Sequence, residues 1–324
     1  MFRLWLYAVL AVFLCASPLM AQSPGAAEAF QHLLDGEYAT AYEKASPLAD
    51  AGDADAQHLL GYLYENGLGV EADIQRAVDL YHDAATAGHP DAQFALGELA
   101  LAGEGVQRNA KTAAGWYKLS ARQGHARAKL RLGVMHADGD GLAQDSARAI
   151  SYFREAAEAN EPEAQRNLAI AYLSGDGVEK NIQDAAVWFR KAAEADDPVS
   201  HYNLALMKNS GTIAREGLSA ADHMRAAAEA GFPPALVGLG LMLHDGAVEI
   251  EGVHPADLFQ RAADAGDPQG MFLYAVALSE GDGREKDAAA ALEQLEWLLA
   301  APDSLDPALL NNAERLKKRL RRRR

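Results

Sequence analysis

The side chains best suited to bind a metal or relay a proton near neutral pH are ten histidines: His32, His58, His82, His89, His125, His136, His201, His223, His244 and His254. A helical zinc pair needs two of them four residues apart, so that both imidazoles leave one face. No two have that spacing. His89 and His125 fall at equivalent points of a repeat and read as exposed turn residues. Residues 138–141, Asp-Gly-Asp-Gly, open like a calcium loop, yet Leu142 stands fifth and Ala149 twelfth, where an oxygen ligand and a bidentate glutamate are required. Asp50, Asp53 and Asp55 sit where helix caps belong. There is no Gly-x-Ser-x-Gly elbow, no Ser-x-x-Lys pair and no phosphate-binding Gly-Lys-Ser/Thr loop. With 46 acidic residues, carboxylate pairs arise by chance on solvated faces. The chain therefore reads as a non-enzyme with neither cofactor nor metal site.

The elements that hold these side chains repeat. Ala56, Ala92, Ala128 and Ala164 are 36 residues apart, and Ser200, Ala235 and Gly270 continue the series at 36, 35 and 35. A leucine-glycine pair keeps the register at Leu60-Gly61, Leu96-Gly97 and Leu132-Gly133. A glycine-x-glycine loop follows at Gly67 and Gly69, Gly103 and Gly105, Gly139 and Gly141, and Gly175 and Gly177, with an apolar residue next (Val70, Val106, Leu142, Val178). Gly211 and Gly246 keep the first glycine alone, and Gly281 with Gly283 restores the pair. Two glycines one residue apart suit a backbone at positive φ that ends one helix and turns into the next. Alanine pairs such as Ala84-Ala85 and Ala156-Ala157 recur behind bulky pairs such as Trp116-Tyr117 and Trp188-Phe189, small enough for helices to approach closely. The first unit then reads as a helix over 55–66, a loop to Asp73 and a helix over 74–87. One amphipathic pair cannot bury its apolar face, so the pairs must stack. At 49% hydrophobic residues, rich in alanine and only 7% aromatic, the composition favours an all-α class.

The pattern resembles the Sel-one-like repeat family, relatives of the tetratricopeptide repeats. That resemblance implies a right-handed α/α superhelical solenoid of about seven 35- to 36-residue helix pairs over residues 54–300, with terminal caps. It departs from the pattern at residues 210–217 and 246–252, where the standard loop is replaced. Residues 22–53 read as an amino-terminal capping half-repeat, because Ala41, Ala49 and Gly52 lie 36 residues before Ala77, Ala85 and Gly88. Residues 301–324 read as a capping helix, started by Asp306 and Pro307 and striped by Leu309, Ala313, Leu316 and Leu320.

At the other end Arg3 precedes an apolar run over 4–14, too short for a membrane span of about 20 residues. Residues 1–21 thus read as a signal peptide cleaved near Ala21, which places the mature protein in the periplasm or outside the cell. Cys15, the single cysteine, falls inside that segment, and the residues before it argue against lipidation. The net charge is −16, but residues 1–314 alone carry 22 basic against 46 acidic side chains. An acidic body repels phosphate backbones, which argues against nucleic acid. The remaining cations are Arg315, Lys317, Lys318, Arg319, Arg321, Arg322, Arg323 and Arg324. They either offset a helix dipole or form a handle for an anionic envelope surface.

The resemblance places the first helix of each pair on a concave face. Its outward positions vary between units: His58, Phe94, Leu130, Arg166, Tyr202, Val237 and Phe272, and four residues on Tyr62, Glu98, Val134, Ile170, Leu206, Leu241 and Val276. Among these, His58, Tyr62, Phe94, Glu98, Arg166, Tyr202 and Phe272 are the candidate contacts for a protein or peptide. The function implied is an exported scaffold or adaptor in an envelope signalling or assembly system. The alternative is an envelope hydrolase acting on β-lactams or cell wall, since some exported members of the family are linked with that activity. Those members are cysteine-rich, and this chain is not.

Overall fold

The structure, a computed structural model, describes residues 23–214 and 216–322; the expected leader, its cleavage point, Arg323 and Arg324 lie outside them. The described residues form seventeen α-helices, one short 3-10 turn and no strand. The chain divides into two compact units at Lys180. Unit 1 holds α1 (Pro24–Leu34), α2 (Tyr38–Asp50), α3 (Ala54–Asn66), α4 (Ile74–Thr86), α5 (Pro90–Ala102), α6 (Ala110–Arg122), α7 (Ala126–Asp138), α8 (Ser146–Glu158) and α9 (Pro162–Ser174). Unit 2 holds α10 (Ile182–Ala193), α11 (Pro198–Asn209), α12 (Ala220–Glu229), α13 (Pro233–His244), α14 (Pro255–Asp264), α15 (Pro268–Glu280), α16 (Ala288–Leu298) and α17 (Pro307–Arg321). Within each unit every helix packs on its neighbours in sequence, the arrangement of a stacked helix-pair repeat.

Local chemistry sets each boundary. Asp73, Asn109 and Asp145 open α4, α6 and α8, their side chains accepting the backbone N–H three residues on. Proline occupies the first turn of α5, α9, α11, α13 and α15, where a missing N–H costs nothing. The first helices of unit 1 from α3 onward end at a left-handed glycine, such as Gly67 at φ 64°. The second loop glycine has another task besides its φ. A methyl group on Gly69 would lie 2.5 Å from the Tyr38 carbonyl carbon, so the loop rests directly on the start of α2.

The leucine-glycine pair is also a packing device. A methyl on Gly61 would come within 2.7 Å of the Tyr81 ring, so the absent side chain is the seat of the aromatic from the second helix. Tyr81 and Tyr117 are fully buried this way, each contributing on the order of 2 kcal/mol by area removed from water.

Two details differ from expectation. Residues 24–50 form a complete helix pair, not a half: α1 buries Ala26, Ala29 and Leu33 and α2 buries Ala41, Ala45 and Ala49, so each face needs the other. The irregular loops are longer as well. Loops 210–219 and 245–254 have ten residues against seven in 67–73, and α12 and α14 have ten residues where α4 has thirteen. The repeat length is kept because stacking fixes it, and the loop grows at the expense of the second helix. At the carboxyl end Ala313, Leu316 and Leu320 of α17 close the cluster built on Leu292, Leu295 and Leu298.

Candidate functional site

In unit 1 the amino ends of the first helices carry a ladder of rings and carboxylates. His89 caps α5: its Nδ1 accepts the Ala92 N–H at 3.2 Å, which leaves the proton on Nε2, 3.2 Å from Asp55 Oδ1. His125 repeats this one unit on, capping α7 through Ala128 N–H at 3.1 Å and reaching Asp91 Oδ1 at 3.0 Å through Nε2. His58 stacks on His89 with centroids 4.7 Å apart, and Phe94 stacks on His125 at 4.8 Å. Burial, reinforced by His89, pushes the His58 imidazole down to about 3. The bond to His89 holds the Asp55 carboxyl below the usual carboxylate range. For Asp91, burial acts upward but the bond to His125 and the nearby imidazoles outweigh it, and the net shift is downward. His89 and His125 are thus capping residues, side chains 12% and 9% exposed, and not the exposed turn residues expected.

Further along the same helices the polar positions are engaged. Glu98 takes both arms of Arg131, at 2.9 Å from Nε and 2.7 Å from Nη2, and accepts the Tyr117 hydroxyl at 2.5 Å. Tyr81 donates to Glu65 at 2.6 Å, and burial pushes the Glu65 carboxyl up. Burial pushes Tyr62 up to about 12, with Glu65 adding to it. Arg166 pairs with Glu163 on its own helix at 3.1 Å. The face brings His58, Tyr62, Phe94 and Glu98 together as half-buried groups, and the Glu98 carboxylate is committed within the unit.

In unit 2, Tyr202 packs edge-on against Phe232 at 5.4 Å, and Phe272 lies half-buried against the cluster closed by α17. Leu130 and Val237, proposed as outward positions, are 3% and 7% exposed and belong to the cores of their units. Their neighbours in the second series behave otherwise: Ile170 in unit 1, and Leu206 and Leu241 in unit 2, stand 42%, 42% and 37% exposed. On α17, Arg321 and Lys317 reach Glu296 at 2.8 and 3.7 Å and Arg319 reaches Glu280 at 3.6 Å. Arg315, Lys318 and Arg322 face solvent, the last two beside an open hollow of about 510 Å³ floored by Leu299 and Leu310.

A second hollow, of about 340 Å³, lies between α7, α8 and α9, with Val134 and Ile170 on its walls. Sequence reading found those two residues and missed the rest. The available signal is subtraction: Leu101, Arg131 and Met135 become Ala137, Asn167 and Ala171 one repeat later. For the capping histidines the signal is a 34-residue spacing from Asp55 to His89 that recurs from Asp91 to His125. Among the described residues no group of three or more His, Cys, Asp or Glu side chains is placed to hold a metal ion.

No curated protein matches the chain. Among solved structures, a Sel1 repeat protein from Oxalobacter formigenes is similar with TM-score 0.64 and 26% identity, over 75% of this chain and 98% of that one. The protein c5321, a protective antigen present in uropathogenic Escherichia coli strains and displaying an SLR fold, is similar with TM-score 0.61 and 21% identity, over 91% of this chain and 83% of that one. Residues 54–89, 90–125, 126–161, 162–197, 198–232, 233–267 and 268–293 each match the Sel1 repeat, and the chain belongs to the Sel1 repeat family.

Proposed function

We propose that this chain is an exported scaffold that holds another protein against the first helices of its repeats, in an envelope signalling or assembly system. Sel1 repeat proteins are in general protein-interaction scaffolds. The observation that carries the reading to the first helices is that Leu206 and Leu241 in unit 2 stand exposed one repeat apart at the same register, where the core of that unit does not require them. Exposed apolar groups on otherwise acidic repeats mark places where a partner removes surface from water. The leader-like segment over 1–21 supports export. Lys318 and Arg322 on α17 offer a further contact to anionic envelope surfaces.

Crosslinking in cells with an affinity-tagged full chain tests the reading. The wild type should capture a defined protein, and Leu206→Glu with Leu241→Glu should lose it while the helical content stays unchanged. Capture of the same protein by the double variant, or no capture by the wild type, would overturn the proposal.

A further inference from the structure

The hollow between α7, α8 and α9 exists because one inter-repeat junction lacks side chains that its predecessor has. Between α5, α6 and α7 the space is filled by Leu101, Met135 and the clamp of Tyr117 and Arg131 on Glu98. One repeat on, the corresponding residues are Ala137, Ala171, Phe153, Asn167 and Val134. The ring keeps its place but has no hydroxyl, the arginine is gone, and two large aliphatic groups are reduced to methyls. What remains is a floor of Ile150, Phe153 and Ala171 open to solvent beside the 42% exposed Ile170.

Its rim is negative for a comparable reason. Asp140 in the preceding loop is neutralised by Arg108, whose Nη2 lies 2.9 Å from Oδ2. The next loop keeps the carboxylate, as Asp176, but Gln144 stands where the arginine was, and its amide donates to the Ala137 carbonyl at 2.8 Å instead. Asp138 adds a second carboxylate as the last residue of α7, with Ser174 at the end of α9 also on the rim. Two helix carboxyl ends therefore add their negative poles to two carboxylates, and neither aspartate makes an ion pair among the described residues. An apolar floor under an uncompensated negative rim asks for an occupant with the opposite pattern.

We propose that this hollow receives an apolar side chain from a protein segment carrying Lys or Arg beside it, the cation bridging Asp138 and Asp176. The proposal rests on the scaffold reading and names the chemistry of its partner. The volume suits one or two side chains, not a folded surface, so the occupant is an extended segment laid across the first helices.

A displayed library of short random peptides panned on the full chain tests it. Enriched peptides should pair an aliphatic or aromatic residue with Lys or Arg. Their affinity should fall roughly tenfold or more in Ala137→Leu with Ala171→Met, which restores the side chains of the preceding junction. It should fall similarly, and lose its salt dependence, in Asp138→Asn with Asp176→Asn, which leaves the core untouched. Failure to enrich, enrichment without a basic residue, or binding unchanged in either variant overturns the proposal. Should the filled variant still capture the wild-type partner in the crosslinking experiment, the scaffold stands and this pocket falls. Absence of any captured protein removes the scaffold reading itself.

Discussion

Loop 67–73 leaves α3 through a left-handed glycine, lays its second glycine on the backbone of α2 and closes with Asp73 N–H on the Tyr64 carbonyl at 3.0 Å. Loop 210–219 leaves α11 through Ser210 in a right-handed conformation, buries Ile213, and is tied by the buried Lys208, whose Nζ donates to the Glu216 carbonyl at 2.5 Å. Loop 245–254 likewise leaves α13 through a right-handed Asp245 and tucks Val248, Ile250 and Val253 against its own core cluster. All three loops carry left-handed glycines, Gly67 and Gly69, Gly211 and Gly217, and Gly246 and Gly252, but only the first seats one of them against the backbone of an earlier helix; the others add side chains and greater length. A side chain replacing glycine therefore meets strain and backbone contact in the first loop and strain alone in the others.

Substituting glycine is the sharpest way to break that comparison. Gly177 has φ 69°, and a methyl there would lie 2.5 Å from the Ser146 carbonyl oxygen, so Gly177→Ala combines left-handed strain with overpacking against backbone. A loss of about 3 kcal/mol in urea unfolding is expected. Gly246 has φ 70° and open space around the same position, so Gly246→Ala should cost about 1 kcal/mol, from strain alone. Equal losses would mean that the close approach contributes nothing.

The next effect lies on the first helices of unit 1, where polar groups fill a junction that its successor leaves open. Glu98→Gln keeps the shape but removes the charge that answers Arg131, and the guanidinium loses both charge-assisted bonds. Because each side chain is about one third exposed, solvent screens part of the loss, and a destabilisation of about 2 kcal/mol is expected, read by the same urea titration. Glu98→Gln with Arg131→Met should recover most of it. A double variant no better than the single one would show that the clamp is not a unit.

How much of this the sequence discloses depends on how far apart the cooperating residues lie. Loop glycines, aspartate caps and the leucine-glycine seat are readable because each answers a local backbone or next-helix requirement that recurs in several units. The capping histidines are not. Histidine is outside the common capping set, and the partner carboxylate lies 34 residues upstream, meaningful only once the stacking register is known. Glu98 looks outward in a helical projection and is taken by an arginine 33 residues later. The hollow is the least legible feature, because it consists of atoms that are missing relative to a neighbouring repeat.

The smallest expected effect compares the two units through pH. His58 in unit 1 is held down to about 3 by burial and His89, in the company of Asp55, Asp91 and His125. His223 in unit 2 is held down to about 4 by burial, His201 and Lys208, against Asp222. Both imidazoles are neutral in the fold, whereas in the unfolded chain they take up a proton near pH 6.5. Below that pH the unfolded state binds more protons, so stability falls with acid, down to about pH 3 for His58 and about pH 4 for His223. Each contributes about 1 kcal/mol by pH 5 once partial solvation is allowed for. Thermal unfolding followed from pH 7 to pH 3.5 should therefore show a falling midpoint, with the two sites separating below about pH 4. The slope should flatten in both His58→Phe and His223→Phe, more so in the former because its window is wider. If His223→Phe flattened it more, the His58 imidazole would not be held below that of His223, and the ordering of the two sites would have to be reversed.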